Sequence, residues 1–288
     1  MKHRLLLASC VLLGLTSSGC GSDDSAPDPG YRTEDSEPID VDNLSIRVSG
    51  QARVLPEASR WLATTGRSEP SLSGLSVTIE EPLRVAVNDL DATFGSSALD
   101  DAGAFGVAGI LVKNVNVGLA VGMSGPGLMR TSTIIYDSSF TGSRPRTNLI
   151  ETRAYALPES FHDALSTALG ESRLLGHTEN RARTLREAGF ALGRVVDENG
   201  RPRAGVRVAP SRTELADRIY YPSADLGSVN QEGTSEEGLF VYVHTGLAVE
   251  SFHVSVEGEE DAVPRNVVTA PGLGLMFTLH PGLHPPIE

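Results

Sequence analysis

The chain has 288 residues, with 24 Lys+Arg against 37 Asp+Glu and a formal charge of −13; 40% of it is hydrophobic and 21% charged. The length allows one large domain or two ordinary ones, and the apolar fraction is enough for a packed core. The acidic balance excludes nucleic acid as a partner, because phosphate binding needs a basic face. The only lysines are Lys2 and Lys113. Neither sits in a Walker A loop, and Ile110, not Ser, lies three before Lys113, so a Ser-x-x-Lys nucleophile is also absent.

Lys2, His3 and Arg4 make a positive start, and residues 5–15 (LLLASCVLLGL) form an apolar stretch. It falls short of the ~20 residues a spanning helix needs. Small residues follow up to Cys20, so residues 1–19 read as a secretory signal peptide. Ser17-Ser18-Gly19-Cys20 resembles the lipobox of bacterial lipoproteins, with Ser17 where that family prefers Leu. The resemblance implies lipid attachment at Cys20 and a place in the bacterial cell envelope, facing the periplasm or the surface. Ordinary cleavage after a small-x-small site would instead leave Cys20 a free thiol. Cys10 lies within the signal, so the folded part has no disulfide available.

Residues 20–43 carry eight acids and one base, Arg32, among Ser, Pro and Gly. Such a segment cannot bury enough apolar surface to offset ordering, and it reads as a disordered acidic tether. From Leu44 the pattern changes. Leu44, Ile46, Val48, Ala52 and Val54 alternate with Ser45, Arg47, Ser49, Gln51 and Arg53, which predicts a half-buried strand. Residues 56–70 read as a long loop. Further alternation at Leu75-Val77-Ile79, Leu83-Val85-Val87 and Val115-Val117-Leu119-Val121, separated by Gly- and Asp-rich turns, predicts a first β-sandwich over residues 44–140.

Residues 141–191 read as a helical connector. Leu157, Phe161, Leu165, Ala168 and Leu169 share a helix face between Pro158 and Gly170, with His162 and Asp163 on the polar side. A second helical stretch over residues 178–188 carries Glu179, Arg183 and Glu187 at i,i+4 spacing, which reads as a solvated face.

Strand patterns then resume over residues 192–288, and the second half can be laid over the first. Gly50-Gln51-Ala52 matches Gly193-Arg194-Val195, Gly74-Leu75 matches Gly205-Val206, and Asp100 to Phe105 matches Ser235 to Phe240. The second copy carries Gly193-Arg194-Val195-Val196-Asp197-x-x-Gly200-x-Pro202-x-Ala204-Gly205-Val206-x-Val208 and then Glu237-Gly238-Leu239-Phe240. These residues resemble the carboxypeptidase regulatory-like domain, a transthyretin-like β-sandwich. The first copy lacks the Asp-x-x-Gly turn, and the whole chain resembles bacterial lipoproteins with tandem modules of this kind. The resemblance implies an all-β fold of two transthyretin-like, Ig-like sandwiches joined by a short helical connector.

No catalytic set emerges. His162, His177, His244, His253, His280 and His284 show no metal-ligand spacing, and Ser124 lacks the glycine two residues on that a nucleophile elbow needs. Intradiol dioxygenases share a related sandwich and hold iron with tyrosines and histidines; that likeness makes Tyr220, Tyr242, His244 and His253 an alternative ligand set, although the His-x-His pair reads Ser251-Phe252-His253. Asp89, Asp91, Asp100 and Asp101 sit in turns without a calcium-loop spacing. The expectation is a non-enzymatic, membrane-tethered lipoprotein without cofactor, acting as a scaffold or as a binding module for an envelope protein or glycan. The alternatives are an iron enzyme or an accessory subunit of an envelope complex.

Overall fold

A computed structural model describes residues 40, 42–137, 144–259 and 262–282. The signal, Cys20 and nearly all of the acidic tether lie outside the described residues.

The alternation after Leu44 forms β1 (Ser45–Val54), and its counterpart in the second half is β8 (Phe190–Val195). Each is the middle strand of the same three-stranded arrangement. β1 pairs antiparallel with β4 (Ala104–Leu111) and parallel with β7 (Leu149–Pro158). β8 pairs antiparallel with β12 (Leu239–Val243) and parallel with β15 (Gly274–Leu279). The registers agree residue for residue. Gly50 lies opposite Phe105 and Thr152, and Gly193 lies opposite Phe240 and Phe277.

The turns agree as well. Gly103 N donates to Asp100 O (3.0 Å), and Ala52 N to Gly103 O (2.8 Å); Gly238 N donates to Ser235 O (2.9 Å), and Val195 N to Gly238 O (2.8 Å). Both glycines hold positive φ, 78° and 66°. A Cβ there would lie 2.3 Å from Ala52 O or 2.6 Å from Val195 O, so only glycine fits. The duplication read from the sequence is therefore built into backbone hydrogen bonds.

The facing sheets repeat too. In the first half β2 (Ser76–Glu80) pairs with β5 (Gly118–Gly125), which pairs with β6 (Leu128–Asp137). In the second half β9 (Val208–Pro210), β13 (Glu250–Val256) and β14 (Arg265–Thr269) take those places. Ile46, Val48, Ile79, Phe105 and Val121 fill one sandwich core, and Ala191, Val195, Phe240, Val254 and Phe277 fill the other. One strand breaks the symmetry. β3 (Thr93–Ala98) pairs with β2, whereas β10 (Ile219–Pro222) pairs with β12 and carries β11 (Val229–Asn230) on its far side.

The halves are fused through a sheet. β6 pairs parallel with β15, with Ser132 opposite Leu275 and Thr133 opposite Met276. One sheet thus runs through both halves, and residues 40–288 form one compact unit. The fold is all-β with two sandwich cores, as expected, but the expected connector is only partly helical. Residues 149–158 are β7, a strand of the first half's own sheet.

Helices cover the outer face of the second half's sheet. They are α1 (Pro56–Thr64), α3 (Glu159–Leu169), α4 (Glu171–His177) and α5 (Leu185–Ala188). Trp61, Phe161, Leu165, Leu174 and Leu185 pack there against Leu192, Leu239, Val241 and Val243, with Trp61 edge-on to Phe161 at 5.7 Å. β8 and β12 are buried on both faces, so every residue in them is buried.

Two stretches depart from their sequence patterns. The loop expected over residues 56–70 contains α1, because Pro56 pre-sets the first helical φ and Ala58, Trp61 and Leu62 share a face. The strand expected at Leu83-Val85-Val87 is α2 (Pro82–Ala86), again opened by proline. Its apolar residues stay half-buried, and Val87 is exposed. The second helical stretch shrinks to α5. There Thr184 and Glu187 form a capping box, so Glu187 caps the backbone and Arg183 pairs with Glu171 instead.

Strand β8 carries a glycine because the tip of the Phe240 ring fills the space beside it. A Cβ on Gly193 would sit 2.0 Å from Phe240 Cζ, and one on Gly50 2.0 Å from Thr152 O. Gly193→Ala and Gly50→Ala are expected to lower stability by about 1–3 kcal/mol each in urea unfolding. Gly176→Ala, in α4 with open space around it, should stabilise by about 0.5–1 kcal/mol.

Candidate functional site

The second half's sheet traps polar side chains between layers, and two clusters result. The first begins at Glu57, in the first turn of α1, whose side chain is fully buried. Arg194 of β8 meets it: Nε and Nη2 lie 3.0 and 2.9 Å from Glu57 Oε1, and Nη1 donates to Tyr155 Oη at 2.8 Å. The Arg194 and Arg53 guanidinium groups lie 5.1 and 5.5 Å from the Tyr155 ring centre, within cation–π range. Arg60 extends the cluster outward, 3.5 Å from Glu57 and bidentate to Glu237. Glu57 and Tyr155 come from the first half, and Arg194 and Glu237 from the second.

The second cluster lies on the other face. Tyr242 Oη donates to Glu250 Oε2 at 2.7 Å. His244 Nδ1 lies 3.1 Å from the same oxygen and 3.0 Å from Thr269 Oγ1, and Arg218 Nη1 donates to Glu250 Oε1 at 3.0 Å. A carboxylate partner assigns the proton to His244 Nδ1. Burial alone would raise the Glu250 pKa. Hydrogen bonds from His244 and Tyr242, with the Arg218 charge, overcome it and bring the pKa down to about 2. Burial and the Glu250 carboxylate push the Tyr242 hydroxyl well above its ordinary range.

Tyr242 and His244 are both buried, because a second layer covers each face of β12. The fold also separates the alternative iron ligands. Ile219 lies opposite Tyr242, so Tyr220 faces the other side, where its hydroxyl lies 2.5 Å from His177 Nε2. His253 is exposed on β13. Among the described residues, no three His, Cys, Asp or Glu side chains gather as a metal site.

The remaining candidates are spent locally. His162, expected on the polar face of its helix, is buried against Phe190 with Nδ1 2.9 Å from Asp163. Burial lowers its pKa despite that carboxylate. His280 Nε2 lies 2.6 Å from Arg265 Nη2, and burial pulls the Arg265 pKa down to about 9. His284 lies outside the described residues. Asp89 pairs with Arg84, Asp100 accepts from Ala102 N and Ala104 N, and Asp101 accepts from Ser73 Oγ. Lining of the surface is sparse: an open hollow of about 410 Å³ lies between Arg173, Tyr220 and residues 229–232, and another of about 360 Å³ lies between Arg203, Arg207 and Glu259.

Sequence reasoning passed over Glu57, Arg194 and Glu250, and also Glu80 and Glu81. Glu80 accepts from Ser132 Oγ and Arg130, and Glu81 accepts from Asn116 N and Val117 N, tying residues 115–117 ahead of β5. The available signal was the paired acids placed directly after an apolar strand.

No protein-family model matches the chain. No curated protein matches it either. Among solved structures it is similar to a double mutant of the shaft pilin SpaA from Lactobacillus rhamnosus GG, at 8% identity over 84% of this chain and 99% of that one, with a TM-score of 0.22. A streptococcal ancillary pilin matches at 9% identity over 83% and 69%, with a TM-score of 0.23. The Bacillus anthracis TIE protein matches at 7% identity over 83% of this chain and a TM-score of 0.23. The chain spans about a third of the TIE chain's length. The strand pairing described above, rather than these overlaps, defines the fold.

Two predictions follow from the clusters. Arg194→Met leaves buried Glu57 with only the rim residue Arg60, 3.5 Å away, as a charge partner and should cost about 3 kcal/mol in chemical unfolding, while Arg194→Met combined with Glu57→Leu should recover much of that loss. The pH dependence has two windows. His162 has a folded pKa below 6.5, so its contribution is complete above ~6.5 and is lost as the pH falls toward the folded value. Glu250, at about 2 against an ordinary 4.5, contributes up to ~3 kcal/mol above pH ~4.5 and loses it as the pH falls to ~2. Melting temperatures at pH 7, 5.5 and 3 should fall in two steps, and Glu250→Gln should flatten the lower one.

Proposed function

We propose that this chain is a non-enzymatic lipoprotein of the bacterial cell envelope, tethered through Cys20, in which a rigid double sandwich serves as scaffold or protein- or glycan-binding module. One observation carries the reading: the buried polar side chains are turned inward and bonded to one another. Glu250 accepts from Tyr242 and lies against His244 Nδ1 in the interior, and Glu57 and Arg194 bolt the two halves together. Such pairs brace a scaffold; a catalytic group has to meet substrate in a cleft. The described residues contain no helix long and apolar enough to cross a membrane.

The second-half turn supports the resemblance to carboxypeptidase regulatory-like domains. Asp197 Oδ1 accepts from Asn199 N at 2.8 Å and Arg201 N at 2.9 Å, and Gly200 takes φ 77°. That hairpin is the local reason for the Asp-x-x-Gly pattern. The tether would then hold the sandwiches clear of the lipid surface.

The anchor is tested by fractionation. Cys20→Ser should move the protein from the membrane pellet to the soluble fraction. A variant that stays with the membranes removes the lipid anchor from the reading.

A further inference from the structure

The second half's sheet ends at β11, which pairs with β10 alone. Pro222 lies opposite Val229, so Val229 shares with Tyr220 the face that the helices cover. Where α4 meets that edge the cover is incomplete. An open hollow of about 410 Å³ lies there, between Arg173 of α4, Tyr220 of β10 and residues 229–232. Its size falls within the ~300–1,000 Å³ usual for small-ligand sites.

The walls are held by bonds that leave hydrogen-bonding groups over. Arg173 and His177 stand four residues apart on one face of α4, and both meet Tyr220. His177 Nε2 lies 2.5 Å from the Tyr220 hydroxyl, and the Arg173 guanidinium lies 6.0 Å from the ring centre. Arg173 Nη1 donates to Leu169 O at 2.8 Å, which leaves Nε and Nη2 as donors. Asn230 Oδ1 accepts from Glu232 N at 2.7 Å and Gly233 N at 3.2 Å, which leaves Nδ2 as a donor. Gln231 Nε2 donates to Asp217 O at 2.7 Å, which leaves Oε1 as an acceptor. Glu232 is exposed, and among the described residues no ion pair holds it or Arg173.

These groups choose the ligand. One guanidinium and one carboxylate cancel, so the lining has no net charge with which to select an ion. Carboxylate and amide oxygens accept from hydroxyl groups, and guanidinium and amide N–H groups donate to them. Beside this polar set, the Tyr220 ring and the half-buried Val229 offer an apolar strip. A compact neutral molecule with hydroxyls on one side and C–H groups on another matches that division. An extended peptide does not. β11 is two residues long, and the Asn230 side chain already takes the N–H groups that follow it.

We propose that the hollow between α4 and β11 binds one neutral pyranose unit of a glycan. Glu232 and Gln231 accept from its hydroxyls, Arg173 and Asn230 donate to its oxygens, and its C–H face lies against Tyr220 and Val229. This names the ligand class for the binding module of the preceding section and rests on that reading.

The test adds methyl β-D-glucopyranoside, methyl N-acetyl-β-D-glucosaminide or methyl β-D-glucopyranosiduronate to the detergent-solubilised full chain and follows backbone amide shifts. At least one of the neutral sugars should shift the amides of Arg173 and residues 229–232, with a Kd of about 1–10 mM. Glu232→Ala and Arg173→Ala should each weaken that binding about tenfold, because each removes a charged hydrogen-bond partner. Their melting temperatures should stay near that of the unsubstituted chain. Should Arg173→Ala melt early, Glu232→Ala decides alone. The proposal is overturned when neither neutral sugar shifts those amides, or when Glu232→Ala binds as tightly as the unsubstituted chain. Tighter binding of the uronate than of either neutral sugar overturns the neutral assignment. Cys20 takes no part in any of these measurements, so the sugar site and the lipid anchor fail separately.

Discussion

The parallel pairing of β6 with β15 is the constraint on which the rest of the structure depends. It joins two sandwiches by backbone hydrogen bonds at Ser132–Leu275 and Thr133–Met276, where tandem domains ordinarily meet through side chains and a linker. Once the sheets are continuous, the second sheet is fixed relative to α1 and β7 of the first half. Its outer face then needs a cover, and the helices after β1 and β7 supply it. The chain reaches that face through Pro56 and Pro158, each placed where a strand ends and a helix begins.

That cover has an electrostatic consequence. Arg194 occupies the position matched by Gln51 in the first half, where the outer face is exposed. With helices packed over it, Arg194 cannot reach water, and Glu57 meets it from α1. A buried pair of this kind offsets its own desolvation only with good geometry and added hydrogen bonds, and Tyr155 provides one of them. The pair therefore sets the docking angle of α1 on β8 more than it adds stability. Glu237, bonded to Arg60 at the rim, carries the same registration to the turn beside Gly238.

Much of this fold was legible in the residues. Glycines at 50, 103, 193 and 238 recur because close backbone or ring contacts admit nothing larger, and that steric demand survives when side-chain identity drifts. Layering was less legible. Leu239 to Val243 is five apolar residues in a row, and an unbroken run is the mark of a strand covered on both sides; alternation alone does not show that second cover. Pro82 misled in the opposite direction. Leu83, Val85 and Val87 alternate correctly for a strand, but a proline at the first helical position and no second layer over those residues produced a short helix. The clusters around Glu57 and Glu250 were hidden because their members lie far apart in sequence: 137 residues separate Glu57 from Arg194.

The duplicated halves also show how free strand edges are managed. β7 has a bulge at its open end, where Glu151 takes φ 56° and the register with β1 shifts. β3 carries another, where the register with β2 shifts beside Glu80. In the second half the edge of β12 is closed by β10 and β11. β4 keeps four paired residues, from Ala104 to Val107, before its own bulge at Gly109. A stretch of that length is too short to seed an extended sheet between copies, and Arg47 lies over it. In the first half β3 takes that side of β4, with Gly95 against Val107 and Ser97 Oγ accepting from Gly106 N, while its backbone ladder goes to β2.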